Sequence, residues 1–432
     1  MGEQNWAGNL TFAADDVAQP NSVSQIQEIV RRSHRVRTLG TRHSFNDIAD
    51  TTGTLISLAQ LDHVVRLDAT SRTVTIEGGV RYGQLGEYLN ARGYALRNMA
   101  SLPHISVAGA CATATHGSGV RNGNLATAVS AMEVVTSDGE RDALSRVTHG
   151  DEFDGTVVSL GALGVITQLT LDIVPTFQVR QDVYEHLPLA AAVSHFDDIQ
   201  QMAYSVSLFT DWANDRFAQV WLKREVAADI AADAPRELFG ATLAAADLHP
   251  LPGLSAESCT AQMGVRGPWC ERLPHFRMEF TPSHGAELQS EYFVPYQHAG
   301  DALHAIMRIG GDISQALLVS EVRTIAADAL WMSPCYRTAC IAIHFTWTPD
   351  WTAVRRVLPL IESALAPFNP RPHWGKLFTM SADEVRSRYE RLPDFRRLVE
   401  DHDPVGKFSN TFVDRYVFGT TPPPLPHREP RA

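Results

Sequence analysis

Thr38-Leu39-Gly40-Thr41-Arg42-His43-Ser44-Phe45-Asn46-Asp47 is the stretch that decides the fold, because it runs from a strand end into a tight polar loop with a histidine at its tip. A second glycine-rich loop, VAGACATATHGSG at residues 107–119, follows another short apolar run. Glycine and alanine let the backbone approach a ligand closely, so two such loops can present many N–H groups to one extended anion. Together the loops predict a cofactor that carries a pyrophosphate.

Length and charge bound the class of protein. With 432 residues the chain exceeds what one hydrophobic core usually supports, so we expect two domains. Its 37 Lys and Arg against 49 Asp and Glu give a net charge of −12 without any basic block. This balance argues against a nucleic-acid or anionic-membrane partner. The substrate is therefore expected to be small or uncharged.

Neither targeting nor metal binding is indicated by the sequence. Residues 1–10 lack a secretory signal, and no run approaches the roughly 20 apolar residues of a membrane span, so a cytoplasmic protein is expected. The five cysteines are odd in number and scattered, which predicts free thiols rather than a disulfide framework. Cys335 and Cys340 could be half of a zinc site, but no second ligand pair at finger spacing accompanies them.

The order of helices and short strands predicts an α+β fold. Apolar residues at helical spacing predict helices over 22–33 and 82–90. Short apolar or β-branched runs predict strands at 36–39, 54–58, 64–67, 73–76, 132–136 and 165–174, and the first unit ends near residue 175. Later segments are predicted as a surface helix in the alanine-rich span 227–246, a charged helix over 383–400 and a loose, proline-rich tail over 420–432.

Two later strands carry polar side chains on one face. Glu321 and Arg323 stand two residues apart in an apolar run, so in a strand they project from the same side. The stretch 341–347 alternates, which places His344 and Thr346 together, opposite an apolar face. On local sequence alone, a surface ion pair and a structural histidine are the commoner explanations.

These stretches together resemble the flavoprotein family of vanillyl-alcohol oxidase and p-cresol methylhydroxylase, in its branch of aldonolactone, alditol and xylitol oxidases. The resemblance covers nearly the whole chain and rests on five ordered motifs, at 40–44, 101–119, 161–166, 373–376 and 403–408. It implies an α+β, two-domain FAD-binding fold. The FAD-binding domain would span 1–175 with a C-terminal return at 405–432, and an antiparallel-sheet substrate (cap) domain would span 176–404.

The resemblance implies one covalent link between the cofactor and the protein. Within the alditol oxidase group the histidine that matches His43 carries FAD through the 8α-methyl of its ring. Leu102 stands where the doubly linked relatives have a cysteine, and Cys111 lies too deep in the second loop to replace it. The expected FAD-binding residues are Thr41, Arg42, His43, Ser44, Ser101, Ser106, Gly109, Ala110, Thr113, His116, Gly117, Gly164, Val165, Ile166 and Lys376.

The same resemblance implies the reaction and its residues. The terminal primary hydroxyl of an alditol such as xylitol or sorbitol would be oxidised to the aldose, and dioxygen would be reduced to hydrogen peroxide by a monomeric enzyme. The small Ala100 would leave the oxygen path open. Either His344 or Lys376 would take the hydroxyl proton. The expected catalytic residues are Lys376, His344, Arg323, Glu321, Thr346 and Ser101.

The sequence is also compatible with two alternative functions. An aldonolactone dehydrogenase that passes electrons to an acceptor other than dioxygen would have the same fold. A metal-assisted hydrolase could use His43, His104 and His116, although these histidines lack a recognised ligand spacing. A flavin spectrum without bound metal would exclude the second alternative.

Overall fold

The structure is a computed structural model that describes residues 3–226, 234–280 and 286–420, and it mixes helices with antiparallel and parallel strands. The strands are β1 Asp16–Ala18, β2 Val36–Leu39, β3 Thr54–Ser57, β4 Val64–Asp68, β5 Thr73–Glu77, β6 Tyr94–Ala95, β7 Val129–Val135, β8 Arg141–Ser145, β9 Val165–Asp172, β10 Val174–Pro175, β11 Gln178–Pro188, β12 Ser205–Thr210, β13 Arg216–Val226, β14 Glu237–Leu238, β15 Ala241–Leu243, β16 Gly267–Pro268, β17 Leu288–Pro295, β18 Leu317–Ile325, β19 Cys340–Trp347 and β20 Arg371–Pro372. The α-helices are α1 Val23–Arg32, α2 Tyr82–Asn90, α3 Val107–Ala112, α4 Arg146–His149, α5 Asp151–Val157, α6 Leu189–Ser194, α7 Phe196–Gln201, α8 Ala299–Arg308, α9 Gly310–Ile313, α10 Trp351–Leu365, α11 Ala382–Ser387, α12 Leu392–His402 and α13 Thr411–Val413.

The first part of the chain builds two small sheets and the antiparallel pair of β6 with β10. Strands β1, β3 and β2 form a parallel sheet in that order, and β4, β5, β9, β7 and β8 form an antiparallel one. Helix α1 begins where the Ser22 hydroxyl accepts a hydrogen bond from the Gln25 amide, and it buries Ile26, Ile29 and Val30 in an apolar cluster shared with both sheets. The helices predicted at 22–33 and 82–90 and the predicted strands are confirmed.

The second part of the chain is dominated by one large antiparallel sheet of ten strands. Its order is β14-β15-β11-β13-β12-β18-β19-β17-β20, with β16 added beside β11. The apolar face of β19 is fully buried against the helices, as the alternation in 341–347 predicts, so His344 and Thr346 face the other way. This polar face of the sheet supplies one wall of the site described below.

The chain returns to the first part after α12. The buried Arg37 of β2 donates hydrogen bonds to the carbonyls of Phe408 at 2.8 Å and Leu160 at 2.7 Å, and also to those of Ile48 and Gly161. The Asn410 side-chain amide adds bonds to three carbonyls of residues 47–50. The return segment is thus fixed to the loop that follows β2. The division into 1–175 with 405–432, and 176–404, stays a prediction.

Three predictions from the sequence need correction. Residues 107–112 are not loop but the helix α3, because the alanines that make this stretch small also favour helix. The charged helix over 383–400 is two helices, α11 and α12, since Pro393 in the first turn of α12 cannot continue a preceding helix. Within the alanine-rich span, residues 234–246 hold the short strands β14 and β15 rather than a helix, and residues 227–233 lie outside the described chain.

The remaining expectations concern the cysteines and the chain end. All five cysteines are free, and Cys111, Cys259, Cys335 and Cys340 are buried, as expected for structural thiols. The proline-rich tail lies outside the described residues from position 421 onward. None of the helices in the described parts of the chain is long and apolar enough to cross a lipid bilayer.

Candidate active site

One cleft gathers most of the residues selected from the sequence. It encloses about 1980 Å³ of empty space, part of it open to solvent, and its lining comes from the two glycine-rich loops and from the polar face of the large sheet. The selected residues that line it are Thr41, Arg42, His43, Ser44, Ser101, Ser106, Gly109, Ala110, Thr113, His116, Gly164, Ile166, Glu321, Arg323, His344, Thr346 and Lys376.

Two selected residues lie outside this lining. Val165 packs into the apolar cluster beneath α1, so its side chain contributes to the core. Gly117 lies against the backbone of the preceding segment, because an added Cβ there would stand 2.3 Å from the Met99 carbonyl oxygen. Its glycine is required by this close approach of two backbones.

The two glycine-rich stretches meet at Ser106. The Ser106 amide donates a hydrogen bond of 3.3 Å to the Thr41 hydroxyl. A Cβ on Gly40 would stand 2.6 Å from the Ser106 Oγ, and one on Gly109 would stand 2.8 Å from it. The two glycines therefore make room for the Ser106 hydroxyl, and the three residues together form a narrow floor of the cleft. Such a floor suits a flat or phosphate-bearing ligand and would be filled by any larger residue.

His43 is presented to the cleft by aromatic packing. Its half-buried imidazole lies 4.3 Å from the Trp6 ring and 5.8 Å from the Phe45 ring, measured between ring centroids. Among the described residues neither of its ring nitrogens has a hydrogen-bond partner. Burial, followed by the nearby charge of Lys376, lowers the pKa of His43 to about 3. The imidazole is therefore neutral at physiological pH, with a lone pair free for a bond to a ligand.

A row of directly opposed residues crosses the polar face of the large sheet. Phe209 of β12 stands opposite Glu321 of β18, which stands opposite His344 of β19, which in turn stands opposite Glu291 of β17. Side chains in one row share a face of the sheet. This register explains why residues far apart in sequence reach one end of the cleft.

Glu291 is the centre of a buried charge cluster. Its side chain is 0% exposed, and its carboxylate lies 2.7 Å from the Lys376 amine, 3.1 Å from the His116 imidazole and 3.3 Å from the Arg323 guanidinium. Lys376 also lies 2.8 Å from Nδ1 of His344, whose Nε2 lies 3.0 Å from the Thr346 hydroxyl. Five polar side chains of the site are thus linked through one carboxylate.

Burial and the close charges shift the pKa values of the residues in this cluster. Burial opposes charge on Glu291, but Lys376 and His116 outweigh it and hold the Glu291 pKa well below its usual value. Burial lowers the pKa of Lys376 despite the attraction of Glu291. Burial and the Lys376 charge lower the pKa of His344 to about 3, so that imidazole is neutral.

Glu321 and Arg323 form a second polar pair at the cleft wall. They are 5% and 6% exposed, so they are not the surface ion pair that local sequence favours. Arg323 donates a hydrogen bond of 3.1 Å to the Ser101 hydroxyl, and its buried Nε lies 3.5 Å from Oε1 of Glu321 without forming a hydrogen bond. An unsatisfied buried donor beside a cavity is a place for a ligand oxygen.

Three site residues were missed in the sequence. Glu291 is the only charged residue in the strand LQSEYFVP, and that isolation is the signal that could have found it. His275 lines the cleft and hydrogen-bonds to Glu321 at 2.8 Å, and Lys223 lies behind it at 3.0 Å. His275 lies in an irregular segment with no pattern to mark it, and Lys223 is one of several charged residues at the end of β13.

The histidines of the hydrolase alternative have other partners. His116 pairs with Glu291, and Nε2 of His104 hydrogen-bonds to the Met278 carbonyl at 2.8 Å. Within the described chain no group of three His, Cys, Asp or Glu side chains is placed to hold a metal ion.

Comparisons with known proteins point to flavoproteins. A family model for the FAD binding domain matches residues 14–145, and one for D-arabinono-1,4-lactone oxidase matches residues 285–416. The alditol oxidase of a Streptomyces species is 50% identical over 413 residues, which cover 95% of this chain and 97% of that protein. The L-gulono-1,4-lactone dehydrogenase of Mycobacterium tuberculosis is 29% identical, with 96% and 98% covered.

Solved structures agree on the fold. Cholesterol oxidase from B. sterolicum superposes with a TM-score of 0.73 at 12% identity, over 96% of each chain. A solvent-stable cholesterol oxidase gives a TM-score of 0.74 at 14% identity. At these identities the likeness concerns the fold alone. Together with the family models, it confirms the predicted α+β, FAD-binding fold of the vanillyl-alcohol oxidase type.

Replacing Glu291 with Gln tests the charge cluster. The folded protein keeps this carboxylate ionised below its usual pKa, so its contribution to stability is present at neutral pH and is lost as the pH falls through the folded-state pKa. Glu291→Gln leaves Lys376 and Arg323 without their partner, and we expect a loss of about 3–5 kcal/mol in the free energy of unfolding at neutral pH. Urea denaturation at neutral and acidic pH measures both effects.

The matched control is Glu400→Gln, which removes an exposed carboxylate from α12. We expect the control to change the free energy of unfolding by less than about 0.5 kcal/mol. The difference in stability between wild type and Glu291→Gln is expected to shrink at acidic pH. Equal stability of the two variants at neutral pH would show that Glu291 does not hold the cluster together.

Proposed function

Because the chain belongs to the alditol oxidase family, we propose that it uses FAD to oxidise the terminal primary hydroxyl of an alditol, such as xylitol or sorbitol, to the aldose, with dioxygen as the electron acceptor. The observation that carries this proposal is a set of polar side chains that face the cleft with little exposure to solvent: the buried Glu321, Arg323, His344 and Thr346, and Lys376, whose side chain is 14% exposed. An uncharged chain of hydroxyls needs fixed donors and acceptors of this kind.

The cleft fits FAD. The backbone floor around Gly40, Ser106 and Gly109 is open to a phosphate-bearing group, and the Thr41 loop that borders it carries the unpaired imidazole of His43. We propose that His43 holds the cofactor covalently, since a neutral imidazole is a competent nucleophile. When bound, FAD supplies a two-electron acceptor for the hydrogen on the carbinol carbon, and dioxygen restores it with release of hydrogen peroxide.

The hydrogen bonds of Lys376 favour it over His344 as the base. As a neutral amine, Lys376 donates its two N–H groups to Glu291 and to Nδ1 of His344, which leaves its lone pair for the hydroxyl proton. His344 then carries its own proton on Nε2, which donates to Thr346, and it has no free lone pair. The lowered pKa of Lys376 increases the neutral fraction at working pH.

Once it has taken the proton, Lys376 becomes an ammonium beside the Glu291 carboxylate, 2.7 Å away. This ion pair stabilises the charge that the step creates at the base. Arg323 and Ser101 line the same cleft as hydrogen-bond donors, and Glu321 lines it as an acceptor for the remaining hydroxyls of the polyol. The chain therefore supplies a base, a counter-charge and a polar wall that orients the polyol.

An aldonolactone is the competing substrate. The family model over residues 285–416 describes a lactone oxidase, and a lactone dehydrogenase is 29% identical to the chain. A lactone ring brings fewer free hydroxyls to the wall of Glu321 and Arg323 than a linear alditol does. The polar wall therefore favours the alditol.

The first test of the function is an oxidase assay. We expect purified enzyme and xylitol to consume dioxygen and release an equal amount of hydrogen peroxide. Ala100 lines the cleft and is 5% exposed, so Ala100→Val narrows the space beside it. In stopped-flow measurements the variant is expected to be reduced by xylitol at the wild-type rate and to react with dioxygen more slowly. Wild-type enzyme that stays reduced in air, yet is oxidised at once by a dye, would instead be a dehydrogenase.

The covalent link is tested by acid precipitation. The wild-type pellet is expected to stay yellow, because the bond from His43 to FAD survives denaturation. His43→Ala is expected to fold and to release any bound FAD into the acid supernatant. His63→Ala, which changes an exposed histidine beside Glu77, is the control and is expected to keep a yellow pellet. A yellow His43→Ala pellet would place the link elsewhere.

The base is tested by the pH dependence of kcat/KM. Lys376 must lose its proton to act, so kcat/KM for xylitol is expected to rise with pH along a one-proton limb centred below the usual lysine pKa of 10.5. Lys376→Met is expected to retain flavin, to lose about 10²–10⁴-fold in kcat and to lose the limb. A limb that persists unchanged in this variant would assign the base to another group.

A further inference from the structure

A buried lysine without an ion pair lies behind the polar wall. Lys223 of β13 is 1% exposed, and within the described parts of the chain no carboxylate forms a salt bridge with it. Its amine donates to the carbonyls of Leu273 at 2.6 Å and Pro274 at 2.8 Å, and it lies 3.0 Å from Nδ1 of His275. Burying a charged lysine costs considerable free energy of desolvation, so a buried lysine without an ion pair needs an explanation.

While Lys223 is protonated, its hydrogen-bond donors fix the tautomer of His275. An ammonium has three N–H donors and no lone pair. Two of them are used by the carbonyls of Leu273 and Pro274, and the third meets Nδ1 of His275, which must therefore accept. The proton of the neutral imidazole is then on Nε2, the nitrogen that lies 2.8 Å from Oε1 of Glu321.

This chain of bonds ends at the cleft. Oε1 of Glu321 receives the hydrogen bond from His275 and lies 3.5 Å from Nε of Arg323. Oε2 of the same carboxylate has no donor among the described residues, and the Glu321 side chain lines the cleft. The ring of His275 is held between Phe209 and Trp221, with centroid distances of 5.7 Å and 5.1 Å, so it cannot turn away without disturbing both.

We propose that Lys223 is a positioning residue for the polyol: through His275 it holds Oε1 of Glu321, so that Oε2 is left to accept a hydrogen bond from a substrate hydroxyl. The inference rests on the proposed function, because it assigns the ligand of Glu321 as an alditol. Lys223 itself does not line the cleft, so it acts only through its neighbour.

Substitution of Lys223 tests the hydrogen-bonded relay, which runs from Lys223 through His275 to Glu321. Lys223→Met removes the ammonium and keeps an unbranched side chain of similar length. The His275 proton is then free to move to Nδ1, and Glu321 loses its fixed donor. For the variant with its normal flavin content, we expect kcat/KM for xylitol near pH 6, where Lys223 is protonated in the wild type, to fall about 10–100-fold, chiefly through KM.

Gln181→Met is the matched control. Gln181 of β11 stands directly opposite Lys223 in the same sheet, is 0% exposed, and both atoms of its amide lack hydrogen bonds. The two variants therefore place the same new side chain on neighbouring positions of one face, and only one of them breaks the contact with His275. The control is expected to keep kcat/KM within about 2-fold of wild type.

The tautomer of His275 is measured directly by ¹⁵N NMR of histidine-labelled protein. Spectra are recorded near pH 6, below the pKa of about 7 to which burial lowers Lys223 and above the pKa of about 4 to which burial lowers His275. His275→Gln identifies the signal by removing it. Wild type is expected to show a proton on Nε2 alone, and Lys223→Met is expected to lose that pattern.

Two results would overturn the proposal. One is an NMR spectrum of the wild type that shows the His275 proton on Nδ1. This measurement needs only His275→Gln, the variant that assigns the signal. The other is equal kcat/KM in Lys223→Met and Gln181→Met. The NMR signature does not depend on turnover. An enzyme that is inactive on xylitol would refute the proposed function, whereas the tautomer of His275 would still show whether Lys223 orients that ring.

Discussion

The polar wall of the cleft depends on a carboxylate that no water reaches. Glu291 can stay charged in the interior only if cations and donors surround it, and they come from three separate parts of the chain: His116 after α3, Arg323 on β18 and Lys376 in the loop after β20. A buried charge without partners costs several kcal/mol, so each of these segments is held in place by the same requirement. The geometry of the groups that we propose to act in catalysis is thus a consequence of satisfying one ion.

The buried Arg37 fixes the position of several segments in the FAD-binding part of the chain, as Glu291 does in the large sheet. The Arg37 guanidinium donates to four backbone carbonyls and joins β2, the loop after it, the turn at 160–161 and the C-terminal return. Its partners are neutral carbonyls, so the net effect is positional rather than electrostatic. The loop that carries His43 therefore begins at a fixed point, and the aromatic contacts of Trp6 and Phe45 set the direction of the imidazole.

Local patterns in the sequence were enough for the elements and for most of the cleft lining. The alternation in 341–347 and the spacing of Glu321 and Arg323 follow from the two-residue period of a strand, and the structure places both on the predicted faces. Glu291 and His275 could not be found in the same way, because their importance comes from the register between strands and from an irregular segment, which are properties of the assembled sheet. The helix α3 was missed because small residues suit a ligand-binding loop and a helix equally well.

The return of the chain after α12 has a consequence for biosynthesis. Phe408 and Asn410 complete the surroundings of a loop made more than 350 residues earlier, since the bond from Arg37 to Phe408 spans 371 positions and those from Asn410 span 360 to 363. During translation the amino-terminal half emerges first, and it lacks these ties until residues 408–410 have been made. The loop that bears His43 acquires this anchoring only after residues 408–410 have been synthesised. A nascent chain that stops before residue 408 therefore lacks these ties, and the loop after β2 reaches its native anchoring only once the helices that follow β20 have been made.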